Sequence, residues 1–196
     1  MKPIYAAFAL TACLMTAGCT EQAGDGGAEE SAAGNRAEAS HDAPAEEALS
    51  IVLTVDGLRL SDDSNMVTFG TPEETAIAEM DAIAGAPTER SSNDECGAGP
   101  MAFAHFGALT INFQNSRLVG WSMFDGEEWE GRPVATPAGI TIGSRRAEVE
   151  AAPQAVFEET SIGLEFTADG VDGVMSEDGP EGVVINLWAG TNCIFR

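Results

Sequence analysis

The stretch VTFGTPEE at residues 67–74 runs from a β-rich segment through a glycine and a hydroxyl residue into a helix start. Thr71 is a residue type preferred at helix N-caps, Pro72 suits the first helical position, and Glu74 completes a T-x-x-E capping box. The pattern predicts a helix that ends at about Ala84, before a Gly-Ala-Pro sequence. The apolar stripe of this helix is predicted to consist of Ile77, Met80 and Ala84.

The same pattern returns at residues 140–144, which read ITIGS, so a second helix is predicted at about 145–152. A constant offset of 53 residues relates two pairs of later β-rich segments, 110–113 with 163–166 and 118–122 with 171–175. The two helix starts differ by 73 residues, which is more than the 53 residues that separate the paired strand segments. The second copy is therefore predicted to lack about one loop and one strand, the part of the first copy that contains Cys96.

The other strands are predicted at residues 50–55, 66–69, 101–106, 108–113, 118–124 and 183–195, the last broken near Gly190. Two copies, at about 49–133 and 134–196, are each too small to bury a core alone. We expect them to form one tandem-repeat domain over residues 49–196. The predicted fold class is α+β, in which each copy packs a short helix against an antiparallel sheet.

The N-terminus has the features of an export signal. Lys2 precedes a short apolar run at residues 4–15, and small residues lead directly to Cys19. The sequence TAGC resembles the lipobox of bacterial lipoproteins, which implies a signal peptide at residues 1–18 and lipidation of Cys19. The alternative is an ordinary cleaved signal with an incidental cysteine. In lipoproteins of Gram-negative bacteria an Asp after the lipidated cysteine marks retention in the inner membrane, so Thr20 at this position implies the outer membrane if the host is Gram-negative.

Residues 19–48 are rich in Ala, Gly, Glu and Ser and hold almost no large apolar side chain. Such a segment cannot offset its ordering entropy by burial, so we interpret it as a disordered tether, with His41 solvated. The whole chain carries 32 Asp+Glu against 9 Lys+Arg, a net charge of −23, and Lys2 is its only lysine. These charges exclude nucleic acid as a partner and assign membrane attachment to the N-terminal lipid. The acidic surface of the protein is interpreted as a solvated surface, or as a face that binds a basic partner.

Two cysteines remain in the domain once Cys13 and Cys19 are assigned to the signal and the lipid site. An even pair in an oxidising compartment predicts a disulfide between Cys96 and Cys193. A loop of about 100 residues is stabilised by up to ~4.7 kcal/mol in the chain-entropy description. A redox or metal site is the alternative, but the sequence has no C-x-x-C.

The sequence contains no G-x-S-x-G, no H-E-x-x-H and no phosphate-binding glycine loop, so no catalytic residue, cofactor or metal is predicted. His105 lies in an apolar strand and is interpreted as a structural histidine. The acidic residues offer carboxylate pairs for hydrolysis, although chance pairs are expected at this density. The stretch at 169–173 hints at a calcium loop but lacks its register, and a turn leading into a strand is the favoured interpretation.

The three tryptophans differ in their sequence context. Trp121 and Trp188 lie in strand patterns and are expected in the core. Trp129 lies in an acidic loop with no obvious burial, and tryptophan is enriched among interface anchors. Trp129 is therefore a candidate partner contact, with packing against the sheet edge as the alternative.

Residues 136–149, TPAGITIGSRRAEV, resemble the T-x-x-G-I-x-I-G opening of uncharacterised bacterial lipoproteins with two half-domains. Those proteins carry a cysteine pair like Cys96 and the cysteine of WAGTNC at 188–193. More distantly, the unit is similar to repeats of β-lactamase inhibitor proteins and to SmpA/OmlA-type assembly lipoproteins. The resemblance implies helices packed on a sheet and the binding of another protein.

These observations together predict a lipid-anchored lipoprotein of the cell envelope that acts as a non-enzymatic binding or assembly module. The membrane, through the lipid, and a protein of unknown identity are the predicted partners. The alternative is a carboxylate-dependent hydrolase acting on envelope or external glycans. A carboxylate pair in a deep pocket would favour the hydrolase, and a shallow sheet face with an exposed aromatic side chain would favour the binding module.

Overall fold

Two sheets and two short helices make up the computed structural model, which describes residues 49–126, 129 and 131–194. The elements in chain order are β1 (Ile51–Thr54), β2 (Gly57–Leu60), β3 (Met66–Thr68), α1 (Glu73–Ala84), β4 (Glu89–Asn93), β5 (Met101–Phe106), β6 (Leu109–Gln114), β7 (Arg117–Phe124), β8 (Val134–Ala135), α2 (Arg146–Glu150), β9 (Val156–Thr160), β10 (Gly163–Ala168), β11 (Val171–Met175) and β12 (Val184–Gly190). The fold is therefore α+β and dominated by antiparallel strands, as predicted.

The larger sheet has eight strands in the order β4-β5-β6-β7-β12-β11-β10-β9, and every neighbouring pair is antiparallel. The smaller sheet has the order β3-β2-β1-β8, with β1 and β8 parallel. Strands β4 and β9 are the two edges of the larger sheet. The central pair, β7 and β12, joins the strands that follow α1 to the strands that follow α2.

One face of the larger sheet, the inner face, is buried against the rest of the fold. A cluster of buried apolar side chains includes Leu53 of β1, Met80 of α1, Trp121 of β7, Val149 of α2 and Leu187 of β12. The indole N–H of Trp121 donates to the carbonyl of Thr54 on β1 at 2.8 Å, which links the two sheets. Because side chains alternate along a strand, the neighbours of these residues in the larger sheet lie on its outer face.

The glycine turns before the two helices make matching contacts. Gly70 and Gly143 have φ angles of +93° and +85°, which favour glycine. The Gly70 N–H donates to the Leu118 carbonyl at 2.7 Å, and the Gly143 N–H donates to the Val184 carbonyl at 2.8 Å. The Leu118 N–H donates in turn to the Thr71 carbonyl, and the Val184 N–H donates to the Ser144 carbonyl. Each turn is thus fastened to the start of a central strand, β7 or β12.

Helix α1 ends at Ala84 as predicted, but its start and buried face differ. The capping box is wrong, because Pro72 precedes the helix and no side chain caps it. The Glu74 carboxylate instead contacts Arg90 of β4 at 3.3 Å. The residues that α1 buries are Ala76, Met80 and Ile83, with Ile77 and Ala84 partly buried beside them.

Helix α2 is shorter than predicted and covers Arg146–Glu150. The Ser144 hydroxyl does not cap it but accepts from the Thr141 N–H at 3.1 Å, while the Glu148 carboxylate accepts from the Arg145 N–H at 2.6 Å. The strand predicted at 140–142 is also wrong, because this segment is a loop. In the first half β3 pairs with β2, whereas the described residues of the second half before α2 form only the two-residue strand β8.

The strand correspondence predicted from the offset of 53 residues is wrong. Residues 110–113 lie in the third strand after α1, whereas residues 163–166 lie in the second strand after α2. In the larger sheet, four described strands follow α1 (β4 to β7) and four follow α2 (β9 to β12), so the second half has no fewer strands there. The halves differ in the connection after the first of these strands, which is 94–100 in one and 161–162 in the other. Edge strands β4 and β9 were not predicted, nor was β2.

The described residues all belong to one compact unit of the chain. The predicted signal peptide at 1–18, the lipidation site Cys19 and the tether at 19–48 lie outside the described residues. Across the part of the chain that is described, no helix has the length and apolar character needed to span a membrane.

Candidate functional site

A groove of about 360 Å³ opens on the outer face of the larger sheet. We call it the outer groove. Its described lining residues come from strands β4 to β7 and from the chain end: Ser91, Ser92, Asn93, Phe103, His105, Thr110, Asn112, Ser122, Phe124, Asn192, Cys193 and Ile194.

Strand register brings the polar side chains of the outer groove into rows. Phe103 lies opposite Asn112, and His105 lies opposite Thr110. Thr110 in turn lies opposite Ser122 on β7. Directly opposed residues project from the same face of a sheet, so these side chains meet across three strands.

His105 is hydrogen-bonded at both ring nitrogens. Its Nε2 lies 2.9 Å from the Ser91 hydroxyl, and its Nδ1 lies 3.0 Å from the Thr110 hydroxyl. The order hydroxyl, imidazole, hydroxyl is that of a nucleophile, a base and an orienting group. No carboxylate is found among the described lining residues to stabilise an imidazolium, as the third member of a catalytic triad does. The contacts agree with the interpretation of His105 as a structural histidine.

Aromatic rings form part of the groove surface. The Phe103 and His105 ring centroids are 6.2 Å apart with planes inclined by 30°. Phe124, at the end of β7, is 42% exposed although it is a large apolar residue. The groove therefore combines ring surface with hydroxyl and amide groups, the mixture typical of small-molecule sites.

Asn112 is the most deeply buried polar residue of the outer groove, with 1% of its surface exposed. Its Nδ2 donates to the Thr191 carbonyl at 3.2 Å and to the Asn192 Oδ1 at 2.5 Å. Two acceptors on one side fix the orientation of the amide. Among the described residues, none donates a hydrogen bond to the Asn112 Oδ1.

The segment after β12 forms one wall of the groove. The Asn192 Nδ2 donates to the Ala189 carbonyl at 2.9 Å, and the Asn93 Nδ2 lies 3.6 Å from the Cys193 sulfur. Cys96 and Cys193 lie at disulfide distance, with Cα atoms 5.3 Å apart, as the predicted bridge requires. Cys193 lies beyond the end of β12 and not within the final strand, which corrects its predicted position.

The described lining of the outer groove carries no Asp, Glu, Lys or Arg. This neutrality contrasts with the chain as a whole, which has 32 Asp+Glu and 9 Lys+Arg. Charged groups do lie close to the groove in the fold: Arg90 of the same edge strand β4 pairs with Glu73 and Glu74 of α1. The hydrogen bond that the Arg90 guanidinium donates to the Glu73 carboxylate is the main cause that raises the pKa of Arg90. This ion pair fastens the groove's edge strand to the helix.

A second depression, of about 290 Å³, contains the carboxylates Glu158, Glu165 and Asp172. Glu158 and Glu165 lie directly opposite each other on β9 and β10. The Asp172 carboxylate accepts a hydrogen bond from the Thr167 hydroxyl at 2.6 Å. Residues 169–173 form a turn and the start of β11, which is the interpretation favoured over a calcium loop. Among the described residues no cluster of His, Cys, Asp and Glu is arranged to hold a metal ion.

Trp129 lies half-buried against the core. Its indole N–H donates to the Arg132 carbonyl at 2.6 Å, and a Cβ on Gly131 would approach its ring to 2.5 Å. Contact of Trp129 with a partner stays a prediction. Trp121 and Trp188 are buried, as predicted.

A scan against protein-family models and a search of curated proteins each found no match. Among solved structures, the chain is similar to the uncharacterized protein YfeY from Escherichia coli. The identity is 16%, the TM-score is 0.44, and the match covers 74% of this chain and 99% of that chain.

Proposed function

We propose that the protein is a lipid-anchored lipoprotein of the cell envelope, in the outer membrane, that acts as a non-enzymatic binding module through the outer groove. The observation that carries the binding role is the buried Asn112, whose amide is fixed on one side and whose Oδ1 has no partner among the described residues. A buried polar atom without a partner is costly unless water or a ligand completes its hydrogen bonding.

The absence of enzymatic activity is proposed from the chemistry of the groove. A Ser–His pair needs a base that is stabilised when it takes a proton. Here the group next to His105 Nδ1 is the neutral Thr110 hydroxyl, 3.0 Å away. Hydroxyl, amide and aromatic groups can hold a ligand without changing it.

We also infer that residues 49–133 and 134–196 are copies of one unit, each with a short helix against the sheet. The matching bonds made by Gly70 and Gly143 support this inference. The central register supports it as well: an offset of 66 residues relates Leu118 to Val184, which hold the two turns, and also Ser122 to Trp188, which lie opposite each other. In this correspondence β4 to β7 match β9 to β12.

A crosslinking pull-down from envelope membranes, with the tether intact, tests the binding role and the predicted protein partner. We expect the intact chain to capture a component that Phe124→Ala, at the groove, fails to capture. Val156→Ala is the matched control, because Val156 is an exposed apolar residue on β9 of the same sheet, outside the groove. Equal recovery by both variants would place binding elsewhere.

The alternative, a carboxylate-dependent hydrolase acting on glycans, has one observation in its favour. Glu158 and Glu165 are opposed across neighbouring strands, where like charges repel. Turnover of any member of a glycan and ester library, lost in both Glu158→Gln and Glu165→Gln, would replace the proposal of a non-enzymatic module with this alternative.

A further inference from the structure

We propose that the ligand of the outer groove is a neutral saccharide. The inference rests on the proposed binding function and names its ligand class. It is drawn from the charge, the hydrogen-bonding groups and the ring surface of the groove.

The charge of the groove selects against ionic ligands. An anionic ligand would find no Lys or Arg among the described lining residues, and it would meet the field of a chain with net charge −23. A cationic ligand would find no carboxylate in the same lining. Three carboxylates, those of Glu158, Glu165 and Asp172, line a separate depression instead. A neutral ligand needs no ion pair from the lining, so the groove suits it better than a charged ligand.

The hydrogen-bonding groups match sugar hydroxyls. The Asn112 Oδ1 is a buried acceptor with no donor among the described residues, while its Nδ2 is already used by Thr191 and Asn192. Ser91 and Thr110 carry hydroxyls that both donate and accept, held by the His105 ring. A sugar hydroxyl donates and accepts in the same way. A sugar hydroxyl that donates to the Asn112 Oδ1 would satisfy this acceptor.

Ring surface supplies the apolar part of the site. Phe103 and His105 lie side by side on β5, and Phe124 stands at the end of β7 with 42% exposure. The C–H face of a pyranose ring can pack on such a surface while its hydroxyls reach the polar row. The volume of about 360 Å³ lies in the range of small-ligand sites, roughly 300–1,000 Å³.

An extended peptide fits these observations less well. Sheets bind peptides mainly by adding a strand at an edge, where backbone groups are free. Edge strand β4 borders the outer groove, but Asn112 and Thr110 lie on β6, which is paired on both sides and presents side chains to the groove. The lining therefore favours a compact ligand with hydroxyls on its rim.

The experiment uses the full chain, purified from membranes in detergent. The labelled protein is applied to an array of neutral glycans, acidic glycans and short neutral peptides, and the best ligand is then titrated by calorimetry. We expect saturable binding to a neutral glycan, weakened at least tenfold by Asn112→Ala and by Phe124→Ala. Val156→Ala should bind as the parent does. Ser91→Ala and Phe124→Ala carry the test if circular dichroism shows that Asn112→Ala does not fold.

Each other outcome overturns the assignment in a recognisable way. Preference for acidic glycans or peptides, or binding to no array member, shows that the ligand class is wrong. The binding function survives that result if the pull-down still captures a component whose capture requires Phe124. If Phe124→Ala affects neither assay, the outer groove is not the binding site and both proposals fail.

Discussion

Gly190 is a residue whose backbone the fold constrains closely. Its φ is +73°, and a Cβ there would lie 2.3 Å from the Val119 carbonyl oxygen. Both a left-handed conformation and backbone contact oppose any side chain, so only glycine fits the end of β12 without strain.

Gly190→Ala is therefore expected to lower the free energy of unfolding by about 1–3 kcal/mol, the range for strained backbone positions. Gly97→Ala is the control, because a Cβ at Gly97 meets nothing within 4 Å and its φ is not in the left-handed region. Chemical denaturation of both variants gives the comparison. Equal effects would show that the close approach at Gly190 is not restrictive.

Single residues of the site were predictable from sequence to different degrees. The pairing of Cys96 with Cys193 follows from elimination, and His105 was recognised as a strand residue. The importance of Asn112 was not predictable from the sequence. Its amide is fixed by Thr191 and Asn192, which lie 79 and 80 positions further along the chain. The alternation of Phe103, His105, Thr110 and Asn112 along β5 and β6 was a usable signal, since each polar or aromatic residue alternates with an inward one.

Helix α1 tests the corrected description of its buried face. Ile83 is 5% exposed, whereas Ile77 is only partly buried. We expect Ile83→Ala to cost about 2–5 kcal/mol of unfolding free energy, the range for buried large-to-small changes, and Ile77→Ala to cost less. Denaturant titration of the two variants measures the difference. A larger loss for Ile77→Ala would restore the stripe predicted from sequence.

The elements that sequence analysis missed are mainly those at the sheet edges. Strand β4 reads ERSSN and β9 reads VFEET, and nearly every side chain of both is exposed or half-exposed. An edge strand with polar side chains on both faces has no hydrophobic alternation to detect, and charged residues there also discourage pairing with other chains. The central strands β5, β6 and β7 were predicted closely, because their inward faces are apolar.

The contact between Cys96 and Cys193 joins the connection at 94–100 to the segment after β12. We expect the double change Cys96→Ser with Cys193→Ser to reduce stability by about 2–5 kcal/mol. It should also weaken ligand binding, since Cys193 lines the outer groove. Intact mass after alkylation decides whether the bridge exists: two modified thiols in non-reduced, envelope-derived protein would contradict it.

At the scale of the whole molecule, we expect the predicted lipid on Cys19 to hold the protein at the membrane. Cys19→Ser should move the protein from the membrane fraction to the soluble fraction and abolish labelling by a palmitate analogue. Fractionation of cells that express each form measures this. A variant that stays with the membrane would contradict anchoring by the lipid.

The α+β class and the α1 end were predictable because glycine, proline and hydroxyl residues mark helix boundaries locally. The order of the eight strands was not predictable in the same way. The central pairing of β7 with β12 joins residues more than sixty positions apart, and nothing local specifies it.

The central claim, that the outer groove is the binding site of an envelope module, is tested most directly by site-specific photocrosslinking in intact cells. A benzophenone side chain at Ser92, an exposed residue on the groove rim, is compared with one at Ala147, an exposed residue of α2. We predict a discrete adduct from position 92 that disappears with Phe124→Ala, and none from position 147. Adducts of equal strength from both positions, or none from position 92, would contradict the claim.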